Sequence, residues 1–136
     1  MADEVRKEEE KPKYSEEELE KALEDYFLNG KIIRAYELSL KPKPIRIVFQ
    51  TLSLRQLEEI TKIYSEPDIL NKPLYALQIP IIKAILLRAI VEFNGQPLTE
   101  EKLDEMPVVL IEEIRKKYME FENFCREVFT QTQKKS

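Results

Sequence analysis

The sequence predicts a predominantly α, α+β domain: an N-terminal helix, a β-hairpin, then a bundle of three or four helices around a central apolar helix. Three observations predict it. Apolar residues recur at helical spacing within 15–29, 53–67 and 107–129, while between 31 and 52 the period drops toward two. One long apolar run, PLYALQIPIIKAILLRAIVEFNG (73–95), stands alone in a chain that is 35% charged. A length of 136 residues with 43% hydrophobic content suits one domain and one core, here assigned to 15–130. Residues 1–14, with seven charges in MADEVRKEEE, read as a solvated tail, and 131–136 as a polar tail that frays.

The first helix opens with a capping box, Ser15 and Glu18, and carries Leu19, Ala22, Leu23, Tyr26 and Phe27 on one stripe. Asn29-Gly30 closes it; the same dipeptide also suits a type I′ hairpin turn, but the preceding period of 3.6 favours the helix end. In the hairpin, Ile32, Tyr36, Leu38 and Leu40 share one face, and Ile45, Ile47 and Phe49 alternate with Arg46, Val48 and Gln50. Two prolines and lysines in the connection 41–44 mark an exposed loop or a protected edge. Ser53 and Gln56 form a second capping box ahead of Leu57, Ile60 and Tyr64, with Leu54 and Ile63 beside that stripe, and Pro67 stops the helix.

The run 73–95 is predicted to be the central helix, begun by Pro73 and ended by Asn94-Gly95. Its polar residues Gln78, Lys83, Arg88 and Glu92 walk around the axis, so it is apolar on most sides. Magnitudes decide between core and membrane. Eleven large apolar residues favour insertion by roughly 3–7 kcal/mol, and Lys83 with Arg88 oppose it by about 5–7 kcal/mol. Gln78, Pro80 and Glu92 tip the balance to a soluble core. Pro80 removes a backbone hydrogen bond, which predicts a kinked or two-piece helix. Thr99 then caps a short acidic helix, TEEKLDEM, and a long helix follows from about Pro107 to Phe129.

The residues offer little for chemistry. Without histidine, the usual general base and the usual nitrogen ligand for zinc or copper are missing. Cys125 lies on an apolar seam, which predicts a packed thiol, and one cysteine suits a reducing compartment. The carboxylates at 16–18 and 100–104 fall in first helical turns, where the helix dipole favours them. No enzyme, cofactor or metal site is expected. Net charge is −4, and the basic groups Lys41/Lys43/Arg46 and Arg115/Lys116/Lys117 sit beside carboxylates, so neither nucleic acid nor an anionic membrane is an expected partner. The first residues carry no apolar signal segment. Two glycines, no tryptophan and abundant Glu and Lys resemble a heat-adapted composition.

On the last helix Ile111, Ile114, Tyr118, Phe121, Cys125 and Val128 are spaced 3, 4, 3, 4, 3, an a/d seam that Phe124 and Phe129 widen. The seam either packs on the central helix within the domain or leaves part of itself for another chain. On the second view Ile111, Ile114, Tyr118, Phe121, Phe124 and Phe129 are the partner-binding candidates, for a partner helix or a homo-oligomer.

Three stretches resemble the tail assembly chaperones of long-tailed bacteriophages: PIRIVFQTLSLRQLEEI, the helix end RAIVEFNGQPL, and EEKLDEMPVVLIEEIRKKYMEFE. Together they span about 38–124; the first helix has no counterpart. The resemblance implies a protein of the host cytoplasm that coats the apolar, helical tape measure protein and recruits tail tube subunits around it. It also implies a frameshifted longer form, for which an adenine run encoding Lys134-Lys135 would be the slippery site; the nucleotide sequence decides that. The alternatives are a structural virion component of tail or baseplate, or a cellular helical protein–protein adaptor.

Overall fold

The computed structural model describes residues 14–40, 43–62 and 74–135, and for 74–78 and 131–135 the backbone only. Among these residues lie five helices and one three-stranded antiparallel sheet, in the order α1 (Glu16–Asn29), β1 (Ile33–Leu38), β2 (Ile45–Gln50), α2 (Leu54–Thr61), α3 (Leu74–Ala89), β3 (Ile90–Phe93), α4 (Glu100–Asp104) and α5 (Val108–Lys135). The predicted class and the helix-then-hairpin start are therefore present.

Local chemistry sets the element ends. Ser15 caps α1 by accepting from the Glu18 amide, and Gly30, at φ 77°, closes it by donating to the Tyr26 carbonyl. Ser53 and Gln56 complete a reciprocal capping box on α2, and Thr99 caps α4. The stop expected at Pro67, the candidate stripe residues Ile63 and Tyr64, the initiating Pro73, and the tail 1–13 lie outside the described residues.

The central run departs from expectation twice. Helix α3 is continuous through Pro80, so the two-piece alternative is set aside. It also stops at Ala89, and Ile90–Phe93 becomes the third strand. The reason is tertiary. Strand β2 holds Ile47 and Phe49 fully buried, and its second edge would leave backbone donors and acceptors unpaired there. Pairing Phe93 with Ile47, Glu92 with Val48 and Ile90 with Phe49 satisfies that edge, with an irregularity that leaves Val91 over. Ile90 and Val91 are β-branched and suit the strand. Asn94-Gly95 then turns the chain rather than ending a helix, with φ of 53° and 84° and reciprocal Phe93–Gln96 backbone bonds.

The core sits between the sheet and α1 and α5. Phe49 stacks on Phe121 at 5.7 Å and meets Tyr118 at 5.6 Å, while Tyr36 stands edge-on to both Phe49 and Phe121. Leu19, Leu38, Leu86, Ile90, Leu103, Ile114, Phe124 and Val128 complete it. The seam of α5 thus packs mainly against the sheet and α1 rather than on the central helix. Tyr14, assigned by sequence to the solvated tail, packs edge-on to Phe124 at 4.9 Å. Arg34 holds this corner, 4.0 Å above the Phe124 ring and 3.1 Å from the Glu18 carboxylate. The polar tail expected to fray is helical backbone through Lys135.

Candidate functional site

The α2 segment positions the site. Because Ser53 and Gln56 fix its first turn, Leu54 and Leu57 project from α2 largely into solvent, at 73% and 48% exposure, whereas Ile60, one turn on, is buried. The expected stripe of this helix is thus only partly inward among the described residues. Beneath Leu54 and Leu57 opens a cleft of about 530 Å³, whose apolar wall is Ile85 from α3 and Tyr118, Phe121 and Cys125 from α5. On the other side of 51–54 lies a second cleft of about 540 Å³, bounded by Tyr26, Gly30, Leu54 and Phe129. A third, of about 330 Å³, lies between α3, α4 and the start of α5, with Ile79, Ile82, Leu86 and Ile111 on its walls.

The six partner-binding candidates therefore separate. Tyr118 and Phe121 line the first cleft, Phe129 the second and Ile111 the third. Ile114 and Phe124 line none of these; at 0% and 1% exposure they belong to the core, Phe124 with Tyr14 edge-on to its ring. Phe121, also 1% exposed, is a floor rather than an anchor. The structure turns outward Leu57 and Phe27, which the sequence places on apolar stripes, and Leu54, which it places beside one; Leu28 joins them. For Leu54 the signal was available: it is a large apolar residue in the first turn, off the Leu57–Ile60 stripe.

Several titratable side chains around the clefts are shifted by burial or held in ion pairs. Burial, then the neighbouring Glu122 carboxylate, push the Cys125 thiol up to about 12, so it is neutral and weakly nucleophilic at ordinary pH. Burial first also raises the Tyr118 hydroxyl to about 12. The carboxylates at the two ends of α4 are engaged structurally: Glu100 and Asp104 both hold Lys83 of α3 at 2.8 Å, and these bonds, Asp104 first, raise the Lys83 pKa. Of the basic residues weighed for nucleic acid, Arg46 pairs with Glu92, Lys116 with Glu113 and Lys117 with Glu120, while Lys41 lies outside the described residues. Among the described residues no three His, Cys, Asp or Glu side chains group to hold a metal ion, and no helix is long and apolar enough to cross a membrane.

Comparison of the chain with protein-family models, with curated proteins and with solved structures finds no match.

Proposed function

We propose that this chain is a tail assembly chaperone of a long-tailed bacteriophage, binding the tape measure protein through apolar clefts and acting without covalent chemistry. The observation that carries the reading is the pair of exposed leucines, Leu54 and Leu57, set over the apolar wall of Tyr118, Phe121 and Ile85. Such an arrangement accepts the apolar face of a client helix, leucines closing over side chains that enter the cleft. The resemblance in three stretches names the client; the geometry supplies only the kind of surface.

A holdase has three physical requirements: apolar surface for the client, a charged exterior that keeps the complex in solution, and contacts weak enough for tube subunits to displace. The 35% charged composition meets the second. Shallow, open clefts that bury few side chains at a time meet the third, because affinity follows a few well-packed anchors and not area alone.

The reading predicts a tape measure gene immediately downstream, and co-expression with its product tests the reading. Wild type is expected to move that protein into the soluble fraction, and Leu54→Asp with Leu57→Asp is expected to abolish the rescue. Both leucines are exposed in the first turns of α2, where a carboxylate is favoured by the dipole, so the double variant should melt with wild type. An insoluble tape measure protein with wild type, or equal rescue by the variant, contradicts the proposal. Mass spectrometry of purified particles separates the structural alternative, which requires the chain in fixed stoichiometry in the virion.

A further inference from the structure

Helix α3 runs into β3 without a connecting residue, Ala89 closing the one and Ile90 opening the other. In a continuing helix the Arg88 carbonyl would accept from the Glu92 amide. Here it accepts instead from the Gln50 side chain of β2, at 2.9 Å. A bond from the neighbouring strand thus stands in for the next bond of the helix.

The segment past the junction suits both states. Wound as helix, Ile90 falls one turn after Leu86 and Phe93 one turn after Ala89, so the buried stripe of α3 continues through them. Paired as strand, the same Ile90 is 4% exposed and Phe93 packs against the core. Asn94-Gly95 serves either ending: here it turns the hairpin, and the same dipeptide at 29–30 closes α1. The strand itself is lightly held. It has four residues, the pairing is irregular at Val48 and Phe49 of β2, and Val91 is left over and exposed.

We infer that 90–93 is a two-state element, a strand on β2 in the major state and a further turn of α3 in a minor one, with Gln50 as the latch between them. Winding the segment releases the Gln50 side chain, returns the Arg88 carbonyl to the Glu92 amide, and uncovers the second edge of β2 at 47–49. That edge keeps the wound state minor, because its backbone groups lose their partners. The inference concerns the junction of α3 with the sheet and is independent of the tail-assembly reading.

Chemical-exchange NMR on the full chain tests it, on the μs–ms scale of such rearrangements. Wild type is expected to show a minor state, about 0.1–10% populated, whose Cα shifts at 90–93 are helical where those of the major state are extended. Val91→Ala removes an exposed β-branched side chain and should raise the minor-to-major ratio about three- to tenfold. Gln50→Ala removes the latch and should raise it about fivefold. Glu92→Thr favours the strand and should lower it about threefold. The major-state spectra of the three variants report whether the fold is kept. Absence of exchange at 90–93 in wild type and in both raising variants overturns the inference. So does a minor state with coil shifts, which is local unfolding, or a ratio that Val91→Ala and Gln50→Ala leave unmoved.

Discussion

Both glycines of the chain follow an asparagine, yet Asn29-Gly30 ends a helix while Asn94-Gly95 turns a hairpin. At the first site only the glycine leaves the right-handed region, and its amide bonds back to Tyr26 within the same helix. At the second both residues have positive φ, and the Asn94 amide donates to the Arg46 carbonyl on β2 at 2.7 Å. The first is a local structure that the amphipathic period upstream suffices to set. The second is held from far along the chain, by a strand whose open edge needed a partner. The difference teaches that one dipeptide has two backbone uses and that long-range pairing selects between them.

The largest expected effect lies on the strand side. Ile90 is 4% exposed, paired with Phe49, and part of the core, so Ile90→Ala should cost about 2–5 kcal/mol in denaturant unfolding. Leu28→Ala, at the solvated end of α1, should stay within about 0.5 kcal/mol of wild type. Equal losses would mean that the third strand does not anchor the core.

The dipeptides themselves give a finer test. A methyl group placed on either glycine would meet no atom within 4 Å, so Gly30→Ala and Gly95→Ala each cost only backbone strain, about 1–2 kcal/mol. The asparagines should part company. Asn94→Ala places alanine at φ 53° and should lose about 1 kcal/mol, whereas Asn29→Ala in the last turn of α1 should be neutral or gain up to about 0.5 kcal/mol. Matching losses at 29 and 94 would remove the conformational distinction on which the comparison stands.

The smallest effect is on pH dependence at the start of α1. A hydrogen bond from Arg34, opposed in part by desolvation, holds the Glu18 carboxyl below its ordinary 4.5. A depressed folded pKa contributes stability that is present above the ordinary value and lost as pH falls through the lowered one. An NMR titration of Glu18 should show this shift, and Arg34→Ala should return it toward 4.5. Because the pair is exposed, the accompanying change in stability should be slight.

Much of this fold was legible because its signals were local. The caps at Ser15, Ser53 and Thr99 involve contacts within a few residues, and each is present; the strand at 45–50 forms as well, but its burial does not alternate as the sequence predicts, because Val48 is buried along with Ile47 and Phe49. The third strand was not legible. AIVEF continues the apolar helical run without a break, and only the demand of β2 for a second neighbour converts it. The site was half legible for the same reason. Of the a/d seam of α5, Ile111, Tyr118 and Phe121 lie on cleft walls, as does Phe129 just off it, but spacing cannot tell a covered residue from an open one, and Ile114 on the seam and Phe124 beside it are buried in the core. The outward turn of Leu57 was not legible because α2 is too short for its period to show which leucines the remainder of the chain covers, whereas Leu54 already stands beside the stripe in the sequence.

We propose that this protein lends apolar surface to another polypeptide, and hydrogen exchange on the chain alone and co-expressed with the proposed client, a tape measure protein, is the direct measurement. The account predicts slower exchange at 51–57 and 118–126 in the complex than in the free chain, with Leu54→Asp and Leu57→Asp cancelling the difference. A complex that protects neither segment, or an exchange pattern untouched by those two substitutions, would contradict it.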